Sequence, residues 1–183
     1  NLPESLGNLT GGLVRTNYVM IDYESVQPSD LSMLEPEHFR AMVFVGATQS
    51  RVPVDLARAL QKMGPRGDYV QITGNGKNAL DFHIAFHIGL LAATEPEAYF
   101  HVISKDTGFD PLIEHLKDRK VFAARSATIA EIPLLRAALS TSLADRTAAV
   151  VTHLQRCPEL RPQSARALRN AIGTLFHKQL SDE

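Results

Sequence analysis

A chain of 183 residues with one cysteine, Cys157, cannot build a disulfide framework within itself, and it suits a reducing compartment, the cytoplasm. No apolar run approaches the ~20 residues a membrane helix requires, so no membrane partner is expected. Nor does one sign of charge dominate: 19 Lys and Arg stand against 20 Asp and Glu, and 44% of residues are apolar, which excludes a disordered chain. Repeats and low-complexity blocks are absent. Asn1 to Asn17 are polar and Gly-rich, without secretory or transit-peptide character, and a flexible segment is expected over 1–16. The missing initiator Met leads us to expect a fragment or a trimmed chain. One domain, or one domain with an appendage, can bury roughly 70% of the unfolded surface at this length. Monomer and homodimer are both open.

What the chain does have is alternation. Tyr18–Ile21 and Met42–Val45 are short apolar runs that stop at Asp22 and Gly46, and both read as buried strands. The polar stretch between them, with Pro28 and Pro36, has room for a short helix. Pro53 to Met63 has apolar residues at helical spacing behind a Pro in the tolerated first turn. Asp68–Ile72 alternates like a strand, Thr73–Gly76 is turn chemistry, and Ala79 to Ala93 is a strongly apolar helix. Tyr99–Ile103 reads as another buried strand, followed by a helix from about Gly108 to Lys117 and a short strand over Lys120–Phe122. This order predicts a three-layer α/β/α sandwich around four or five parallel strands, with its functional crevice beyond their carboxyl ends. From Ser126 the composition turns Ala- and Leu-rich, so a helical extension is expected over 125–183, with a linker near 123–128. Residues 1–124 carry 11 basic and 15 acidic side chains, and residues 125–183 carry 8 and 5.

The crevice is where the acids fall. Asp22 ends the first strand, Asp106 follows the fourth, and Asp81 opens the apolar helix. Asp110 lies four residues past Asp106, one helical turn on, and is expected to stand beside it. Carboxylates that converge repel one another unless cations neutralise them, and oxygen-only ligands suit Mg²⁺ or Mn²⁺. Two such ions about 4 Å apart can activate water and stabilise a leaving oxygen in phosphodiester hydrolysis. Each acid also has a structural alternative. Asp22 could close a strand, Asp106 could belong to the helix start, and Thr107-x-x-Asp110 fits a capping box. Asp81 is harder to explain away, because a lone carboxylate on an apolar helix needs a partner.

The segments IDYESV at 21–26, GKNALDFHIAF at 76–86 and VISKDTGFDPLI at 102–113 resemble the PIN-like nuclease superfamily, in particular its NYN-like branch, over about residues 17–124. That resemblance implies a metal-dependent endoribonuclease, with RNA preferred as substrate and DNA not excluded. By the same likeness Asp22, Asp81, Asp106 and Asp110 hold Mg²⁺ or Mn²⁺ and carry catalysis, while Ser104 and Thr107 meet a water on the metal or a substrate phosphate. Two positions depart from the pattern: Glu24 stands where NYN members often have Asn, and Gly108 where they tend to have a second Asp. Asp110 is expected to replace that second carboxylate.

Other features weigh less. His83 and His87 have an i, i+4 spacing that can bind zinc, but His83 lies about 200° round the helix from Asp81. The Gly74-Asn75-Gly76-Lys77 turn lacks the frame of a phosphate loop, yet could present Lys77 and Asn78 to a nucleic-acid phosphate. Arg51, Arg58 and Arg66 could meet backbone phosphates or simply be solvated. Arg161 to Lys178, with Leu168, Ile172, Leu175 and Phe176 on one face, is similar to the opening helices of a winged-helix module. The competing reading for the whole is a catalytically weak nucleic-acid-binding or scaffolding module with the same fold. An aspartyl-phosphate phosphohydrolase would want an Asp at position 24.

Overall fold

The computed structural model describes residues 15–139, 144, 147–148, 150–151 and 162–176. By their contacts they divide into a unit over Thr16–Ile132 and a second unit to which Arg15 and the residues from Pro133 onward belong. The first unit holds a five-stranded, wholly parallel sheet: β1 (Asn17–Asp22), β2 (Phe39–Val45), β3 (Gly67–Gln71), β4 (Tyr99–Ile103) and β5 (Phe122–Ser126), in spatial order β3-β2-β1-β4-β5. The chain moves outward from β1 through β2 to β3, then crosses back to lay β4 on β1's other side. β1 is therefore the centre of the sheet, paired with β2 from Asn17↔Phe39 and with β4 from Asn17↔Tyr99.

Being covered on both faces makes the central strands continuous apolar runs rather than alternating ones. All six residues of β1 are buried, and Val19, Met20 and Ile21 are fully so. Met20, Phe44, Phe100 and Val102 point to one face, where α2 (Ala79–Thr94) inserts Leu80, Ile84 and Ile88 and α3 (Asp110–Asp118) inserts Leu116. α1 (Val54–Met63) buries Leu56, Leu60 and Met63 and packs beside β3. Gly67 opens β3 because a Cβ there would lie 2.9 Å from the Leu60 side chain and 3.0 Å from its carbonyl oxygen. This is the expected α/β/α sandwich.

Three expectations need correction. The last strand runs over Phe122–Ser126 instead of Lys120–Phe122, so most of the linker expected near 123–128 is strand. Ala123, Ala124 and Arg125 have no strand propensity to speak of, and it is pairing with β4, from Tyr99↔Phe122 to Ile103↔Ser126, that makes them extended. The short helix expected between β1 and β2 is a single 3₁₀ turn, Ser32–Leu34. Arg66 is not free for phosphates: its guanidinium donates to the carbonyl oxygens of Leu34, Glu35, Pro36 and Phe39, tying α1's exit to the start of β2.

In the second unit α4 (Pro133–Leu139) and α5 (Ala165–Phe176) are helices, and the described residues there include no strand. On α5 Leu168 and Ile172 are half-buried while Arg166 and Arg169 are exposed. The flexible segment expected over 1–16 falls mostly outside the described residues, as do Cys157 and the remainder of the winged-helix-like stretch. No helix among the described residues is long and apolar enough to cross a membrane.

Ile84, fully buried where α2 meets the sheet, sets the scale of packing. Ile84→Ala should cost about 2–5 kcal/mol in urea unfolding, through lost transfer free energy and the cavity left behind.

Candidate active site

Where the strand order reverses, between β1 and β4, the loops leaving the two strands part and leave a crevice at their carboxyl ends. β1 delivers Asp22 to that point, 5% exposed. Its charge is met from within the chain. Oδ1 accepts the backbone N–H groups of Glu24 and Ser25, each at 3.2 Å, and Oδ2 accepts the Ser104 hydroxyl at 2.7 Å. Ser104 follows β4 and is fully buried. Its Oγ also accepts the N–H of Asp106 at 3.0 Å, and Ser25 Oγ accepts the N–H of Lys105 at 2.8 Å. The two loops are thus laced to each other. The Ser104 hydroxyl holds Asp22 and Asp106 in register, donating to the first and accepting from the second.

Asp106 itself is exposed. Its Oδ1 accepts the N–H of Gly108 at 2.7 Å, which caps the 3₁₀ turn Thr107–Phe109 leading into α3. The capping residue is therefore Asp106, not Thr107. A Cβ at position 108 would stand 3.1 Å from that same Oδ1, so the glycine gives the cap its room. Asp81 reaches the crevice from the first turn of α2, whose start is set by Asn78 at φ 61°, a left-handed conformation that Asn tolerates better than most residues.

Asp22, Glu24, Asp81 and Asp106 line one open cavity of about 330 Å³ together with Ser25, Asn78 and the Ala79–Leu80 segment. No Lys or Arg is among the lining residues. Burial pushes the Asp81 carboxyl above its ordinary range, and the charges of Asp22, Asp106 and Glu24 push it further in the same direction. Glu24, a departure from the NYN-like pattern, is a lining residue of the site. The signal was available: it lies two residues past Asp22, beyond the carboxyl end of the central strand. Gly46 at the end of β2 makes space for it, since a Cβ there would come within 2.6 Å of Glu24 Oε1.

The carboxylate set is oxygen-only and self-repelling, the donor chemistry of a hard divalent cation. As placed, these side chains share the cavity without closing on a point, and among the described residues no three His, Cys, Asp or Glu side chains are grouped to hold an ion. The fit lies in donor type and shared cavity, and ligation requires side-chain rotation from these positions.

Asp110 is not among the cavity's lining residues. It pairs with Arg125 of β5, Nε to Oδ1 at 2.6 Å and Nη2 to Oδ2 at 3.2 Å, and this guanidinium holds its carboxyl below the usual range. Asp106 caps the turn that leads into the helix and Asp110 opens the helix itself, and the Arg125 guanidinium is within electrostatic reach of both carboxylates. Arg125 Nη1 also donates to the carbonyl oxygen of Ser104 at 3.1 Å, so the ion pair braces the loop that carries Ser104 and Asp106. Arg125 takes this place because β5 extends through Ser126, beyond the Phe122 at which the strand is expected to end.

Of the remaining predicted contacts, Asn78 lines the cavity, whereas Lys77 and Thr107 are exposed and outside its lining. The histidines of α2 satisfy local backbone. His83 Nδ1 donates to Ala79 O at 2.7 Å and its Nε2 accepts the Thr73 N–H at 3.3 Å, which fixes its tautomer. His87 Nδ1 donates to His83 O at 2.8 Å. That leaves little for zinc.

A family model described as the PIN domain matches residues 16–125, more than half of the chain. No curated protein and no solved structure gives a significant match.

Because Asp81 is held protonated more readily in the fold than in the unfolded chain, its ionised form works against folding as pH rises from the ordinary aspartate range through its raised value. In chelator, Asp81→Asn should therefore melt at a higher temperature than the wild type at neutral pH. The gain should vanish in acid, where Asp81 is protonated in both states. Ser104→Ala should cost roughly 1–3 kcal/mol in denaturant titrations, because Asp22 Oδ2 and the Asp106 N–H both lose a buried partner.

Proposed function

The chain belongs to the PIN domain family, whose members are usually nucleases, and we propose that it is a metal-dependent endoribonuclease of the NYN-like branch that hydrolyses RNA phosphodiester bonds. The observation that carries the reading is the four-carboxylate cavity at the β1/β4 switch point, with no cation among its lining residues and the Asp81 carboxyl pushed up by its neighbours. Asp22, Asp81 and Asp106, with Glu24, are the residues that would hold Mg²⁺ or Mn²⁺. A divalent cation bound there supplies Lewis-acid polarisation of the phosphodiester and acidifies water.

The chain's own residues have three tasks. Asp22, fixed by three hydrogen bonds, is the preorganised member of the set. Asp81 and Asp106 meet it from α2 and from the β4 loop. Asn78 at the cavity wall offers an uncharged donor to a phosphate oxygen, and Lys77 beside it in sequence adds a cation for the flanking backbone. RNA, single-stranded or structured, is assigned as substrate on the motifs of the NYN-like branch, and the cytoplasm on the chain's single cysteine. Asp110 is not given a ligand role, because Arg125 already takes both its oxygens.

Cleavage of a labelled RNA, with Mg²⁺ or Mn²⁺ and again in chelator, tests the proposal. Activity should require the cation and fall to background in Asp106→Asn, with the far-UV spectrum unchanged. Mg²⁺ should also raise the melting temperature of the wild type by binding only the folded state, and less so that of the variant. RNA binding without cleavage under either metal would favour the binding-module reading. Cleavage that survives both chelator and Asp106→Asn would dispose of the carboxylate site altogether.

A further inference from the structure

Apart from Asp81 and the two histidines that bond to its own carbonyls, α2 is apolar nearly to its end. From Phe82 to Thr94 it carries no charged side chain, and its outer face leaves Phe82, Phe86 and Leu90 exposed at 69%, 64% and 53%. A helix of that kind is normally covered on every side. Residues 82, 86 and 90 are spaced by four and form one stripe along the helix, flanked by Gly89 and Ala93, which are also exposed. Around Gly89 the space is open, with nothing within 4 Å of where a Cβ would stand.

We infer that this stripe is the centre of a homodimer interface, in which α2 packs antiparallel on α2 of a second copy across a two-fold axis near Phe86. Three observations select a second copy over other occupants. The stripe is symmetric about Phe86, so an antiparallel partner of the same sequence sets Phe86 against Phe86, and Phe82 against Leu90 at either end. That is the self-complementarity a two-fold interface demands. The area is right as well. The three side chains expose roughly 400 Å² of apolar surface per copy, and the flanking small residues of both helices bring the total towards the ~1,200 Å² at which specific interfaces begin. Third, the stripe has no charge of either sign. A single-stranded nucleic acid stacking on these phenylalanines would need cations alongside to meet its phosphates, and no Lys or Arg lies between Asn78 and Thr94. Homodimer cores are the interfaces that tolerate such neutrality.

Sedimentation velocity on the full chain, from about 1 to 100 µM, provides the test, and it is independent of whether the chain cleaves RNA. The wild type should sediment as a dimer, and Phe86→Glu, which places two carboxylates at the axis, should weaken association on the order of a thousand-fold while leaving helix content and monomer melting unchanged. Leu90→Glu, away from the axis, should act in the same direction. In a Cys157→Ser background, Phe86→Cys should form an inter-chain disulfide on mild oxidation, whereas Val54→Cys, equally exposed on α1, should not. A wild type that stays monomeric at ~100 µM overturns the inference. So does a dimer that survives Phe86→Glu, which places the interface elsewhere. A Phe86→Glu variant that loses RNA binding with no change in oligomeric state overturns it too, in favour of a stacking surface.

Discussion

Asp22 is a charged group at the end of a strand with no exposed face, so the protein itself must satisfy it. Two N–H groups come from the turn that follows β1, which any chain leaving that strand could supply. The third donor, the Ser104 hydroxyl, comes from β4, which lies beside β1 only because the chain crosses the sheet between β3 and β4. The same oxygen then accepts the N–H of Asp106. One buried hydroxyl therefore couples the position of the innermost carboxylate to that of an exposed one. The ion pair of Asp110 and Arg125 reaches the same residue from outside through the Ser104 carbonyl. The cavity's walls are held by uncharged donors and one remote ion pair, and no Lys or Arg is in its lining.

Much of the fold was legible because burial on two faces leaves a plain mark. The runs at 18–21, 42–45 and 99–103 have nowhere to be but inside a sheet, and the acids that follow the first and the last of them point to the crevice. β5 was misplaced for the converse reason: as a half-exposed edge strand of Ala and Arg it carries no apolar signature, and only its partner's backbone makes it extended. The site was legible to the extent that it depends on strand ends. Asp22 and Asp106 follow from that rule and Asp81 from its cost on an apolar helix. Glu24 satisfied the same rule but was set aside because it departed from a pattern. Asp110 and Ser104 show what spacing cannot give, the partners each side chain meets: Arg125 of β5 for the first and Asp22 for the second.

α2 answers to two demands at opposite sides. Leu80, Ile84 and Ile88 fill the core against β1 and β2, and Asp81 is turned from the same first turn into the cavity. His83 and His87 cover the flank by bonding to carbonyls of the helix itself, and His87 sets its edge against Phe44 with ring centroids 5.1 Å apart. What remains is the stripe of Phe82, Phe86 and Leu90, whose composition is that of a core side chain set without a core. A helix that carries a site residue at one end and an exposed apolar stripe along its back links the two rigidly, so a partner seated on the stripe would act on the site. Tilting the helix at the interface would move Asp81 relative to Asp22, which is anchored in the sheet.

The crossover that makes β1 central also sets an order in time. Asn17 pairs with Tyr99, and Ser104 with Asp22, across some four-fifths of a hundred residues. Closing so long a loop costs entropy that local contacts cannot offset in advance, and parallel topologies of this kind fold slowly for that reason. During synthesis β1, β2 and β3 emerge with one edge of β1 unpaired and with Asp22 lacking its hydroxyl partner. The nascent chain thus carries an open, apolar strand edge until β4 has left the ribosome. An unpaired apolar edge of that kind is the surface on which chains aggregate, so the topology is most exposed while it is incomplete, before β4 is in place.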